Sequence, residues 1–156
     1  MILKIILFSV LLASGCTIPF QDFRTRLISL WTIIIYSTCC VAIVILFKGQ
    51  MALISNIIST LVYFTFCFSV LFLFYFIKER KLVNIMDTKI GWGDALIFLP
   101  IGFTLETVQL IVFFTLSFCI VAVIGIFLSN KQKTIPLAGI LVCFHILFLC
   151  YSEFLN

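Results

Sequence analysis

The stretch DALIFLPIGFTLETVQLIVFFTLSFCIVAVIGIFLS, from Asp94 to Ser129, can be read as one crossing of a lipid bilayer or as two, and the fold turns on which. A spanning helix needs about 20 apolar residues, because roughly 30 Å of hydrocarbon is crossed at about 1.5 Å per residue. The 36 residues here exceed one crossing and fall a little short of two. Their one interior charge is Glu106, within Thr104-Leu105-Glu106-Thr107. Splitting there gives a short fourth span, Ala95–Leu105, interrupted by Pro100 and Gly102, and a full fifth one.

The other apolar runs are Ile2–Phe20, Leu27–Phe47, Met51–Ile77 and Thr134–Phe154. With the split, the loops alternate so that Arg24, Arg26, Lys78, Arg80, Lys81, Lys89, Lys131 and Lys133 share one side. Only Lys4 and Lys48 fall on the other. A single crossing over 94–129 would weaken that bias from eight against two to six against four. Positive residues mark the cytoplasmic side, so the expectation is six spans with both termini outside. The expected fold is all-α and integral to the inner membrane, one domain over 1–156, its fourth helix short and Pro/Gly-interrupted.

Composition agrees. Of 156 residues 64% are hydrophobic and 10% charged, with a mean hydropathy of +1.35. Soluble domains carry roughly 45–50% apolar and about 25% charged residues, which excludes a soluble enzyme, a secreted disulfide module and a nucleic-acid-binding domain. The seven cysteines have no CxxC pair and no metal-ligand spacing, and six lie in apolar runs as small hydrophobes. No metal and no cofactor is expected. His145, ten residues into an apolar run, reads as a packed neutral side chain, and the Phe-rich Phe64–Phe76 as lipid-facing or helix-packing surface. Trp31 and Trp92 suit an interfacial aromatic belt.

Two carboxylates stand out at the cytoplasmic side: Asp22 just beyond the first span and Asp94 at the start of the fourth. Asp94 closes Gly91-Trp92-Gly93-Asp94. The glycines permit positive φ and close approach of another backbone, which sets unhindered peptide groups beside a carboxylate. Two aspartates sharing a proton supply an acid and a base together, since like charges in contact raise one pKa. Arg24 and Arg26 anchor the loop at lipid headgroups or modulate Asp22, and Trp92 is placed to touch a substrate. Asp87 reads as a solvated loop residue, Glu106 and Glu153 as outer-interface residues.

These elements resemble the type IV prepilin peptidases, integral-membrane aspartyl proteases of the GxGD type. Asp22-Phe23-Arg24-Thr25-Arg26-Leu27-Ile28 is similar to the family's D-x-R-x-R-x-I element, with Ser29 and Leu30 where Pro-Asn is common. Gly91-Trp92-Gly93-Asp94 is similar to its second element, with Leu96 where a Lys is frequent, and Ile135-Pro136-Leu137 resembles a third. The resemblance implies a short, peptidase-only form with Asp22 and Asp94 catalytic. Its implied substrates are prepilins or pilin-like pseudopilins of a type IV pilus or type II secretion system, cut between a basic leader and a hydrophobic helix. Its implied surroundings are the lipid bilayer, with no nucleic acid.

Two other readings stay open at this point. A transporter or assembly subunit could use the aspartates for a proton or cation. Ala13-Ser14-Gly15-Cys16 resembles a lipoprotein cleavage site, with Ala at a position usually branched.

Overall fold

The computed structural model describes residues 2–25, 27–80, 91–128 and 137–155. Six helices make up these residues, with no strand among them: α1 (Ile2–Thr25), α2 (Leu30–Phe47), α3 (Gln50–Glu79), α4 (Trp92–Thr104), α5 (Thr107–Leu128) and α6 (Leu137–Leu155). Four of them, α1, α2, α3 and α5, are long and apolar enough to cross a membrane. The 94–129 stretch divides where its charge falls, α4 ending at Thr104 and α5 starting at Thr107. Leu105 N–H closes α4 onto Gly102 O at 3.2 Å, and the Gln109 side chain accepts Glu106 N–H at 3.2 Å ahead of α5.

The first helix runs further than its apolar stretch. It continues through Pro19 and the polar cluster to Thr25, so Asp22 belongs to its last turn rather than to a loop. The turn into α2 is tied by one side chain, Gln21, whose Oε1 accepts Ser29 N–H at 3.0 Å and Thr32 Oγ1–H at 3.3 Å. The α2–α3 turn needs glycine, because Gly49 has φ +90, a region costly for residues with a Cβ.

α1 packs chiefly on α2 and α6, while α4 lies between α2, α3 and α6. At 13 residues α4 is only about 20 Å long, yet Ile97, Phe98, Pro100, Ile101, Gly102 and Thr104 are all buried. Such a helix, running unbroken through Pro100, is tolerated in an apolar surrounding when protein encloses it. Its far end is held by Asn56, whose Nδ2–H donates to Phe103 O at 2.9 Å. The long helices instead leave large apolar side chains outward, Met51, Phe66, Ile77, Val108 and Leu116 among them.

Where the helices touch, small and polar residues sit. His145 of α6 is fully buried between Tyr36 of α2 and Thr104 of α4. Thr104 Oγ1 donates to Ile101 O at 2.7 Å, so it accepts from His145 Nε2–H at 2.7 Å. Nδ1 is then left to accept from Tyr36 Oη–H. A neutral imidazole thus has both nitrogens satisfied, as an apolar surrounding demands. The Phe-rich part of α3 divides by face. Phe64 is buried and stacks on Phe98 at 5.3 Å, whereas Phe66, Phe72 and Phe74 point outward.

A Cβ added at Gly102 would lie 2.4 Å from Thr60 Cγ2 and 2.7 Å from its Oγ1. Gly102→Ala is therefore expected to destabilise the fold by about 1–3 kcal/mol, and Thr60→Ala in the same chain to restore most of it. Thermal unfolding of the two variants in detergent checks this.

Candidate active site

The last turn of α1 and the first turn of α4 bring Asp22 and Asp94 to the same place, the first turn of α6. Asp22 is 6% exposed, and its Oδ2 accepts Gly139 N–H at 2.8 Å. Asp94 Oδ1 accepts Ala138 N–H at 2.9 Å. The two donors are consecutive residues, whose Cα atoms lie about 3.8 Å apart, so the carboxyl groups meet over neighbouring peptide units. The physical reason is local. The first four N–H groups of a helix have no partner within it, and that end carries a partial positive charge. Two carboxylates from two other helices meet both needs.

The GxGD element works differently from its sequence expectation. Gly91 has φ −70 and ψ 141, extended backbone open to any residue, and Gly93 lies within α4. The glycine with positive φ among the described residues is Gly49. What Gly91 contributes is a backbone donor, and an added side chain would meet Asp94 only at ordinary contact distance. A Cβ there would stand 3.4 Å from Asp94 Oδ2, and its amide hydrogen-bonds the Asp94 carboxylate. Gly93 faces Ile28 at the entry to α2, where a Cβ would meet Cδ1 at 3.6 Å.

Asp94 directly precedes the apolar body of α4. Burial raises its pKa from 3.8 to about 6; the Ala138 amide opposes the rise, the Asp22 charge adds to it, and the Gly91 amide opposes it. Loss of solvation therefore outweighs two favourable hydrogen bonds.

Of the other residues singled out in the sequence, Arg24 is turned along α1, its guanidinium 5.9 Å from the Phe20 ring centroid, a cation–π distance. Trp92 is 61% exposed beside the site, and Trp31 is exposed at the start of α2. Arg26, Asp87 and Ile135-Pro136 lie outside the described residues. Glu106 forms an ion pair with Lys48 at 3.3 Å, at the end of the bundle opposite the aspartates. Among the described residues no three His, Cys, Asp or Glu side chains gather as a metal-holding group.

Sequence reasoning did not single out Ala138 and Gly139. The available signal was a pair of small residues just after Pro136, where a helix start and a close approach coincide. Nor did it anticipate a largely apolar cavity of about 240 Å³ lined by Phe64, Phe68, Phe98, Phe118 and Leu137 with Tyr75. Phe98 is one turn along α4 from Asp94, and Leu137 precedes Ala138.

A model of the type IV leader peptidase family matches residues 5–126, which include both aspartates. Neither the curated proteins nor the solved structures contain a match.

The raised Asp94 pKa has a definite sign in stability. The unfolded chain releases this proton near 3.8 and the folded chain holds it to about 6. The folded state therefore binds more protons across that window, and stability falls as pH rises through it. Asp94→Asn, uncharged throughout, is expected to flatten this part of the profile and to be the more stable protein at pH 7. Thermal unfolding in detergent from pH 4 to 7 measures it.

Proposed function

Since the chain belongs to the type IV leader peptidase family, we propose that it is an aspartyl endopeptidase whose catalytic pair is Asp22 and Asp94. The observation that carries this reading is their convergence on adjacent amides of one helix turn, 2.8 and 2.9 Å away. The family match stops before that turn, so the geometry supports the pairing independently of it. The family match does not favour the transporter alternative.

In the proposed reaction Asp22, ionised, takes a proton from a water held between the carboxyl groups. The oxygen of that water attacks the peptide carbonyl, whose own oxygen is polarised by the proton on Asp94. The raised Asp94 pKa suits it to hold this proton. Collapse of the tetrahedral intermediate breaks the C–N bond, and a proton passes to the leaving amine. Products are a carboxylate and an amine, with one water consumed. The pair titrates as a unit, and its last proton leaves on the alkaline side of the rate profile.

The substrates in this reading are prepilins or pilin-like proteins, cut between a basic leader and an apolar helix. Both aspartates, negative when ionised, attract a basic segment. The cavity beside Phe98 and Leu137 is placed for an apolar side chain next to the scissile bond. The eight-to-two charge bias supports cleavage at the cytoplasmic face of the inner membrane, with both termini outside. Asp22 lies in the last turn of α1 and Lys78 in the last turn of α3, with Arg80 as its cap; if α1, α2 and α3 each cross, alternation sets these residues on the same face, which supports that reading.

Co-expression with a prepilin bearing a basic leader tests the proposal. Wild type is expected to release the leader, while Asp22→Asn and Asp94→Asn each cut at least about 100-fold more slowly. Full activity in either variant rejects the pair.

A further inference from the structure

Gly139 stands where a side chain has no room. A Cβ added to it would lie 3.1 Å from Asp22 Oδ2, 3.1 Å from Pro19 Cα and 3.4 Å from Asp22 Cβ. Distances of this kind require the neighbour to yield by a few tenths of an ångström. One neighbour is backbone of α1 and the other is the carboxylate that Gly139 itself holds. In the first turn of a helix, alanine would ordinarily be the more favourable residue. Gly139 is also buried, as are Ala138, Ile140 and Leu141 around it, so the turn cannot roll outward to relieve the contact.

We propose that Gly139 is a positioning residue of the aspartate pair: its missing side chain lets α1 and α6 close until adjacent amides of one turn hold Asp22 and Asp94 together. The proposal rests on the peptidase reading and adds to it a third element, outside the two aspartate motifs. The turn acts on charge as well as position. Each amide donates to a carboxylate, which favours the ionised form of a pair whose mutual repulsion disfavours it. Among the described residues, the groups that face the pair include the Gly91 amide from α4 and the Ala138 and Gly139 amides from α6, beside Asp22 of α1 and Asp94 of α4 themselves. Among the described cations, Arg24 lies over Phe20 and Lys78 over Phe74, each 5.9 Å from the ring centroid.

The test uses the full chain in lipid nanodiscs and reads the pair in two ways. One is the carboxyl titration, followed by infrared or carbon-13 signals of aspartate and assigned by difference against Asp22→Asn and Asp94→Asn. The other is leader cleavage, resolved into kcat and KM. Two changes weaken the Gly139 contact: Gly139→Ala adds the Cβ, and replacing the peptide amide of residue 139 by an ester removes the donor and adds no volume. Each is expected to raise the pH at which the pair loses its last proton by about one unit. Each should lower kcat about tenfold with KM within about twofold. Gly102→Ala, tight against Thr60 and remote from the pair, should leave the titration where it is. Titration curves identical to wild type in both 139 variants overturn the proposal, and the ester decides alone if Gly139→Ala does not fold. The titration needs no substrate. A shifted curve in a protein that cleaves no leader therefore rejects the peptidase reading and keeps the positioning role, while cleavage with an unshifted curve does the reverse.

Discussion

Two carboxylates at close quarters repel. At an effective dielectric near 20, unit charges about 4 Å apart cost on the order of 4 kcal/mol, and nothing in α1 or α4 alone would keep Asp22 and Asp94 together. What opposes the repulsion is the first turn of α6, which offers consecutive N–H groups and the positive end of a helix dipole. The site therefore depends on where α6 is seated against α1. That seam is set by glycines on both helices. Gly15 of α1 lies under Ile146, where a Cβ would come within 2.6 Å of Cδ1, and Gly139 of α6 lies over Pro19 and Asp22. In lipid, where apolar side chains gain little by leaving one another for the hydrocarbon, close backbone approach at small residues is a main source of helix association. Packing and chemistry thus share the same contacts.

The short helix α4 is fixed to α6 at both of its ends. At one end Asp94 takes the Ala138 amide; at the other, Thr104 accepts from His145 Nε2. Asn56 and Thr60 of α3 meet α4 near the second end, through Phe103 O and Gly102. Because Pro100 removes one N–H and helix ends lack partners, α4 alone would be a poor tenant of an apolar medium. Enclosure by α2, α3 and α6 changes that balance. The same enclosure makes Asp94 stiff in position while leaving it partly desolvated, and its raised pKa follows from the second fact.

Much of this was legible in the residues. Charge and hydropathy located the breaks at Lys48–Gln50 and Thr104–Thr107, because a lone Glu or Lys in an apolar run has few places to go but a helix end. Asp22 and Asp94 were legible as a pair, since carboxylates are rare in such a chain. The faces were not. A helix in lipid is apolar all round, so periodicity, which marks the buried side of a soluble helix, marks nothing here. The informative residues were instead the small and polar ones, Gly15, Asn56, Thr60, Gly102 and Gly139, and a single sequence does not say which of them meet. His145 was readable as neutral and packed, but Tyr36 and Thr104 are 109 and 41 positions away from it. The extension of α1 past Phe20 was hidden for a related reason: polar side chains at 21–25 signal a membrane surface, while their backbone continues the helix into it.

The position of the pair at helix ends has a consequence for hydrolysis. A peptide bond inside a helix has its carbonyl and N–H engaged, and in hydrocarbon an unwound one costs several kcal/mol. A scissile bond must nevertheless be extended to meet an attacking water. At Gly91, extended ahead of α4, the chain has left the helical state, and the two carboxylates and the α6 amides lie close by. Gly91 is exposed there, adding no side chain of its own beside Asp94 Oδ2, and Trp92 next to it offers a flat apolar surface. Asp22 by contrast is covered. In the proposed peptidase, an extended substrate strand arriving from the Gly91 side would meet Asp94 first. The more enclosed Asp22 would lie beyond it, so water and the scissile carbonyl would have to sit between the two carboxyls.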